Sequence, residues 1–198
     1  MASESERFPS ETISDWKSYA DHLVVYQVAD ERQLEPDAET AARGEGAIGR
    51  KVTVKIEDVL WSASGAPNLP VSLEMSATGW ALHDGEKIPM LVEGAPRAEV
   101  GDRILAPLFR LEDPGTMEWG PVAGAAQLRL VSGRAEQAPA GEHNAARRSL
   151  SGLTVAEIAR AWRQAMPDPR AAAHSDLRPA ERVKVVTRER TEAPATHP

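Results

Sequence analysis

Residues 49–61 read GRKVTVKIEDVLW, and their alternation decides the fold class. Val52, Val54 and Ile56 alternate with Lys51, Thr53, Lys55 and Glu57, the period of two expected of a β-strand with one wet face. At Asp58 the alternation breaks and resumes in the other phase as Val59 and Trp61, so the apolar side changes face. A β-bulge, or a strand bent between two sheets, produces such a change.

Working outward, residues 22–29 read HLVVYQVA, with β-branched and aromatic side chains on both faces. That pattern predicts a strand covered on two sides. A polar stretch with Pro36 and two glycines, residues 30–47, connects the two strands as a loop. Downstream, Val71, Leu73 and Met75 predict a further strand. Residues 79–82 and 87–92 flank Asp84-Gly85, a pair suited to a tight hairpin because it tolerates positive φ. Residues 103–111 are strongly apolar, but Pro107 has no N–H to donate, so an edge position or a bulge is expected there. Asp113-Pro114-Gly115 predicts a turn, and residues 127–131 a last strand closed by Ser132-Gly133.

The chain therefore divides into an acidic leader (1–17), a β-domain (18–135), a linker (136–150), an amphipathic helix (151–166) and an Arg- and Pro-rich tail (167–198) read as disordered. Within the leader, Ser14 is placed to cap a short helical turn carrying Ile13, Trp16 and Ala20. The helix has the strongest local signal in the chain. Thr154 and Glu157 form a capping box, Val155, Ile158, Trp162 and Met166 make an apolar stripe, and Pro167 ends it. So short a helix is marginal alone in water and must dock its stripe, with the β-domain itself the expected target. Residues 182–190, RVKVVTRER, offer an alternative to disorder as a strand added to an open sheet edge.

The strand rhythm, with VVYQV, GRKVTVKIEDVLW, EVGDRILAPL, GPVAGAAQLRLVSGR and a closing LTVAEIARAW, resembles bacterial OB-fold-like β-barrel proteins of the netrin and tissue-inhibitor-of-metalloproteinases type, over roughly residues 20–165. The resemblance implies a mainly β fold, a small OB-like barrel or sandwich with one C-terminal helix packed on it. Those inhibitors act through an N-terminal cysteine. This chain has no cysteine, so no inhibitory residue carries over.

Charge is uneven beneath the total of −7. Residues 1–45 hold 4 Lys and Arg against 11 Asp and Glu, and residues 134–198 hold 11 against 8. An acidic head and a basic end can attract each other within or between molecules, though solvated termini are the simpler reading. Residues 1–14 are polar and acidic, where a secretory signal starts basic and carries an apolar stretch of about 7 to 15 residues. No apolar run approaches the roughly 20 residues needed to cross a bilayer. A cytoplasmic protein is expected.

Candidate chemistry is sparse. Residues 44–49 match G-x-G-x-x-G, but a strand follows where a nucleotide-binding helix would have to start. His22, His83, His143, His174 and His197 show no metal-binding spacing. The neighbouring carboxylates Glu57-Asp58 and Glu112-Asp113 diverge on a strand or turn. No serine stands in a nucleophile elbow. No catalytic residue, metal ligand or cofactor is therefore assigned. Five tryptophans outnumber the two Phe and two Tyr, and fit either core or a stacking surface. Trp80 and Trp119 adjoin glycines and are the expected exposed pair, and Arg182 and Arg188 in the tail join them as candidate binding residues.

The expected function is a non-catalytic module that binds a protein partner or its own copies. The alternative is a small-ligand-binding protein or hydrolase using the barrel loops. Single-stranded nucleic acid is disfavoured as a partner by the negative charge of the β-domain.

Overall fold

The decisive alternation builds β2 (Gly46–Ser62), which pairs antiparallel with β1 (His22–Gln33). In this computed structural model, which describes residues 8–92, 94–113 and 116–192, the chain is mainly β. Two bulges on β2 fall at the break near Asp58, but Val59 and Trp61 do not share a face as expected, Val59 pairing with Val24 and standing exposed while Trp61 pairs with Leu23. The register passes from Tyr26–Ile56 to Val25–Asp58, leaving Glu57 extra, and from Val24–Val59 to Leu23–Trp61, leaving Leu60 extra. Each surplus residue reverses the facing of the residues beyond it. Val52 and Val54 accordingly join one core, while Leu60 and Trp61 pack against the other.

The remaining strands are β3 (Ser72–His83), β4 (Glu86–Pro89), β5 (Arg103–Asp113), β6 (Thr116–Pro121), β7 (Leu128–Val131) and β8 (Arg134–Ala135). They form one antiparallel sheet in the order β4-β3-β2-β1-β5-β7-β8, with β6 paired to β5, and the sheet is not closed. Residues 71–83, expected as two strands, are a single strand from Ser72 onward. Asp84 and Gly85, at φ 49° and 79°, make the predicted hairpin turn into β4. Pro107 departs from expectation. It lies on an interior strand, between β1 on one side and β6 and β7 on the other. Its missing donor faces the junction where the ladder passes from β6 to β7, and its carbonyl accepts from Val122 N at 3.0 Å. Of the Asp113-Pro114-Gly115 turn, Pro114 and Gly115 lie outside the described residues.

The pair β1 and β5 is apolar on both faces, as the sequence of β1 predicts. Val24, Tyr26, Val28, Ile104, Ala106 and Leu108 meet Val52, Val54, Leu73, Met75 and Trp119 in an inner core. Leu23, Val25, Leu105 and Phe109 face a second core closed by helices: α1 (Ile13–Tyr19), α3 (Ala145–Leu150), α4 (Val155–Gln164), α5 (Pro169–Ala173) and α6 (Pro179–Glu192). Trp16, Trp162, Leu150, Ile158 and Val186 supply the cover.

The capping box of Thr154 and Glu157 forms as predicted, and Ile158 and Trp162 are buried. Met166 lies past the helix end and is exposed. Lys17 closes the far end of α4, its Nζ donating to the carbonyls of Trp162 (2.9 Å) and Ala165 (2.8 Å). Other expectations are corrected. α1 is capped by Thr12 and Asp15 rather than by Ser14. Residues 1–7 of the leader lie outside the described residues, but Phe8 is buried, with its ring centroid 4.8 Å from that of Phe109. The polar loop 30–47 contains a short helix, α2 (Ala38–Arg43), and the linker contains α3.

The tail is the largest difference. It carries the helices α5 and α6 rather than a strand, and residues 193–198 lie outside the described residues. One buried side chain explains much of its order. Arg182 donates to the carbonyls of Ser18 (2.5 Å), His174 (3.0 Å), Ser175 (3.2 Å) and Leu177 (2.7 Å), tying α6 to α1 and to the turn after α5. Arg190 reaches Asp168 at 2.7 Å from the outer side. Arg182→Met, which keeps the stem but removes this donor from the Ser18, Ser175 and Leu177 carbonyls, is expected to lower unfolding free energy by roughly 2–4 kcal/mol. Urea denaturation, with hydrogen exchange concentrated in α6, measures it.

Asp21 opens β1 from a buried position and accepts from Arg110 N at 2.8 Å. Burial raises its carboxyl above the usual range, against the lowering by the Arg110 hydrogen bond and the charges of His22 and Arg182. The folded state therefore holds this proton more tightly than the unfolded state. The cost of its charge is full at neutral pH and is relieved as pH falls through the raised pKa toward 3.8. Relative to Asp21→Asn, the wild-type thermal midpoint should rise on acidification across that window, a difference read from paired melts at several pH values.

Candidate functional site

Where the sheet fails to close, β3 faces β6 across a seam. β4 pairs only with Trp80–His83 at the end of β3, so the outer edge of β3 before Gly79 has no ladder partner among the described residues. The same holds for the outer edge of β6. Asp21 N donates to Leu108 O at 2.8 Å, so the polar groups of Leu108 point at β1. Its cross-strand partner on β6, Pro121, must then turn its own backbone away from β5 and into the seam, where it brings no N–H.

β3 is also prevented from zipping. Its register with β2 passes from Ala77–Arg50 to Trp80–Ile48, setting Thr78 and Gly79 against Gly49 alone. A Cβ on Gly79 would stand 1.9 Å from Ile48 O, so the bulge requires glycine. The Arg97 guanidinium occupies the carbonyls exposed there, donating to Thr78 O (3.1 Å) and Gly79 O, while its Nε pairs with Glu99 at 2.8 Å. Farther along, the seam is bridged by side chains. Lys51 on β2 reaches Glu118 on β6 at 2.5 Å.

Between the two edges lies a cleft of about 390 Å³. Met75, Ala77, Phe109, Trp119 and Val122 give it apolar walls, and Met90, Val92 and residues 95–98 border it. Polar groups enter from Ser76, Thr78, Arg97, Glu118 and Gln127. Tyr26, buried on the inner face of β1, donates its hydroxyl to Gln127 Oε1 at 3.0 Å, and burial pushes its phenol pKa up. The border is anchored by Arg50, whose side chain is fully buried. It donates to Ala98 O at 2.7 Å and pairs with Glu31 at 2.5 Å. A second hollow, lined by Leu69, Pro70 and Met117, shares the Glu118 and Trp119 wall.

The four candidate binding residues do not converge. Trp119 is buried rather than exposed, and forms a wall of the cleft with its ring 5.5 Å from that of His22. Trp80 is half-buried, with Arg97 4.9 Å and Arg50 5.9 Å from its ring centroid, and belongs to the clamp at the end of the seam. Arg182 is committed to carbonyls, and Arg188 lies exposed on α6 with Glu192 at 2.7 Å. Tyr26, Phe109 and Gln127 were passed over by sequence reasoning. Nothing local marks them, because only the pairing of strands distant in sequence brings them together.

Other motifs resolve structurally. In the glycine run, Gly44 caps α2 in the left-handed region and Gly46 begins β2. His22 lies 2.8 Å from both Ser62 Oγ and Pro67 O. The carbonyl requires a proton on Nε2, Nδ1 pairs with the Ser62 hydroxyl, and the contact ties the loop after β2 to the start of β1. Among the described residues no three His, Asp or Glu side chains gather as a metal site, and no helix is long and apolar enough to cross a membrane. No protein-family model, curated protein or solved structure matches the chain.

Because the bulge shapes both the seam and the clamp, Gly79→Ala is expected to cost roughly 2–3 kcal/mol. The expected signature is loss of hydrogen-exchange protection along β3 and β4 rather than in the helices.

Proposed function

We propose that this protein is a non-catalytic binding module and that it takes up a small apolar ligand in the cleft between β3 and β6. A single observation carries the reading: about 390 Å³ of concave space with mainly apolar walls and a few convergent polar groups. Ligand pockets run from roughly 300 to 1,000 Å³ with this kind of lining, and the mouth of a β-barrel is one of their usual places. On this reading β1, β2, β3, β5 and β6 act as a small OB-like barrel left open along one seam. Five strands around the inner core support that description, and the netrin-like resemblance remains a proposal beside it. The cytoplasm is the proposed setting.

A second reading is a protein partner or a second copy. It is favoured by Ile88, Met90, Leu91 and Val92, a run of exposed apolar side chains at the edge strand, with Leu91 82% exposed. Nucleic acid gains no support at the cleft, where Arg97 is paired with a carboxylate.

Gly120 gives a clean test, because it lines the cleft and a Cβ there would meet only Phe109, at 4.0 Å. The uncharged fluorophore N-phenyl-1-naphthylamine should bind the intact chain saturably at one site. Gly120→Val should weaken it by about tenfold without lowering the thermal midpoint. Leu91→Glu should leave it unchanged. A chain that binds no fluorophore, yet elutes as an oligomer that Leu91→Glu dissociates, would replace the first reading with the second.

A further inference from the structure

We infer that the ligand of the cleft is an uncharged apolar molecule presenting one carbonyl oxygen, and that Gln127 is the residue that selects it. The inference rests on the cleft being a binding site and follows from which of its polar groups are already committed. The charged groups are. Glu118 is held by Lys51 at 2.5 Å, and Arg97 by Glu99 at 2.8 Å together with the Thr78 and Gly79 carbonyls. An entering carboxylate would lose its water without gaining a free cation, and an entering ammonium would find its carboxylate neutralised. Either loss exceeds what the apolar walls return to a small ligand.

The remaining polar groups are neutral, and one has a fixed direction. The buried Tyr26 hydroxyl has, among the described residues, a single acceptor, Gln127 Oε1 at 3.0 Å. A buried O–H must donate, so the amide oxygen is turned to the phenol and Nε2 is turned away from it. Gln127 lines the cleft, and among the described residues its Nε2 has no partner. An amide N–H on the wall of a largely apolar cleft offers its hydrogen to an acceptor. Its natural complement is the carbonyl of a ketone, ester or neutral amide whose apolar remainder lies against the apolar walls. One lone pair of the amide oxygen is taken by the phenol, whereas Nε2 has its N–H groups to give, so at Gln127 the contact on offer is donation to an acceptor.

The test uses displacement of N-phenyl-1-naphthylamine from the full chain by a medium-chain methyl ketone and by the carboxylate and primary amine of the same length. The ketone is expected to displace at about tenfold lower concentration than either charged analogue. The double variant Tyr26→Phe/Gln127→Leu removes donor and acceptor together, so no buried hydroxyl is left without a partner. In that variant, with its fold checked by thermal melting, the ketone-to-carboxylate ratio should fall several-fold toward that of the apolar chain alone. A carboxylate or amine that displaces as well as the ketone overturns the inference, and so does a double variant that keeps the wild-type ratio. Binding of the fluorophore without ketone preference would leave the cleft as a binding site and reject only this assignment. No fluorophore binding at all would reject both.

Discussion

The structure depends on two neighbouring strands that cannot tolerate water on either face. β1 and β5 alternate their side chains between two cores, Val24, Tyr26 and Ile104 on one side and Leu23, Val25 and Leu105 on the other. Burying only one face would leave a row of aliphatic groups exposed, at about 25 cal/mol for each Å² of apolar surface. Both sides must therefore be covered, and the chain does so by different means. The rest of the sheet curls over one face, and five helices lie over the other. The bulges of β2 belong to the same solution, because they let one strand line the inner core at Val52 and Val54 and then hand Leu60 and Trp61 to the helical side.

The features legible in the sequence were local. The alternation of residues 51–57, the Asp84-Gly85 turn and the Thr154–Glu157 box each depend on side chains within a few positions of one another, and each is found. The two-sided burial of β1 was also legible, since it needs no knowledge of which elements do the covering. The failures share a cause. α6 carries a charged residue, Arg182, at the heart of its docking, and a guanidinium caged by four carbonyls leaves no trace in apolar periodicity. Trp80 and Trp119 were placed outside because each adjoins a glycine. Gly79 makes a bulge within β3, and Gly120 lies within β6, so neither marks a surface turn. Pro107 suggested an edge because its missing donor was weighed against the strand as a whole, whereas only one side of that residue needed freedom.

The cleft was the least legible feature, because it belongs to no single segment. Its walls come from β1, β3, β5, β6 and the stretch before β5, and its polar pair joins Tyr26 to Gln127 across 101 positions. Recognising it requires the sheet order first, and then the knowledge that β3 and β6 approach without pairing.

That failure to pair is written into the edges. Pro121 removes a donor from one side of the seam, and the Gly79 bulge with Arg97 over its carbonyls removes acceptors from the other. β4 is treated alike, with Lys87 and Pro89 on a four-residue edge. In place of a ladder the seam has the Lys51–Glu118 pair, part of which is open to solvent. Opening a ladder would break several backbone hydrogen bonds together, at about 1 kcal/mol each. Parting the half-buried Lys51–Glu118 pair breaks a single contact. The sheet is thus laced by ladders where its two-faced strands demand it and bridged by side chains where the cleft lies.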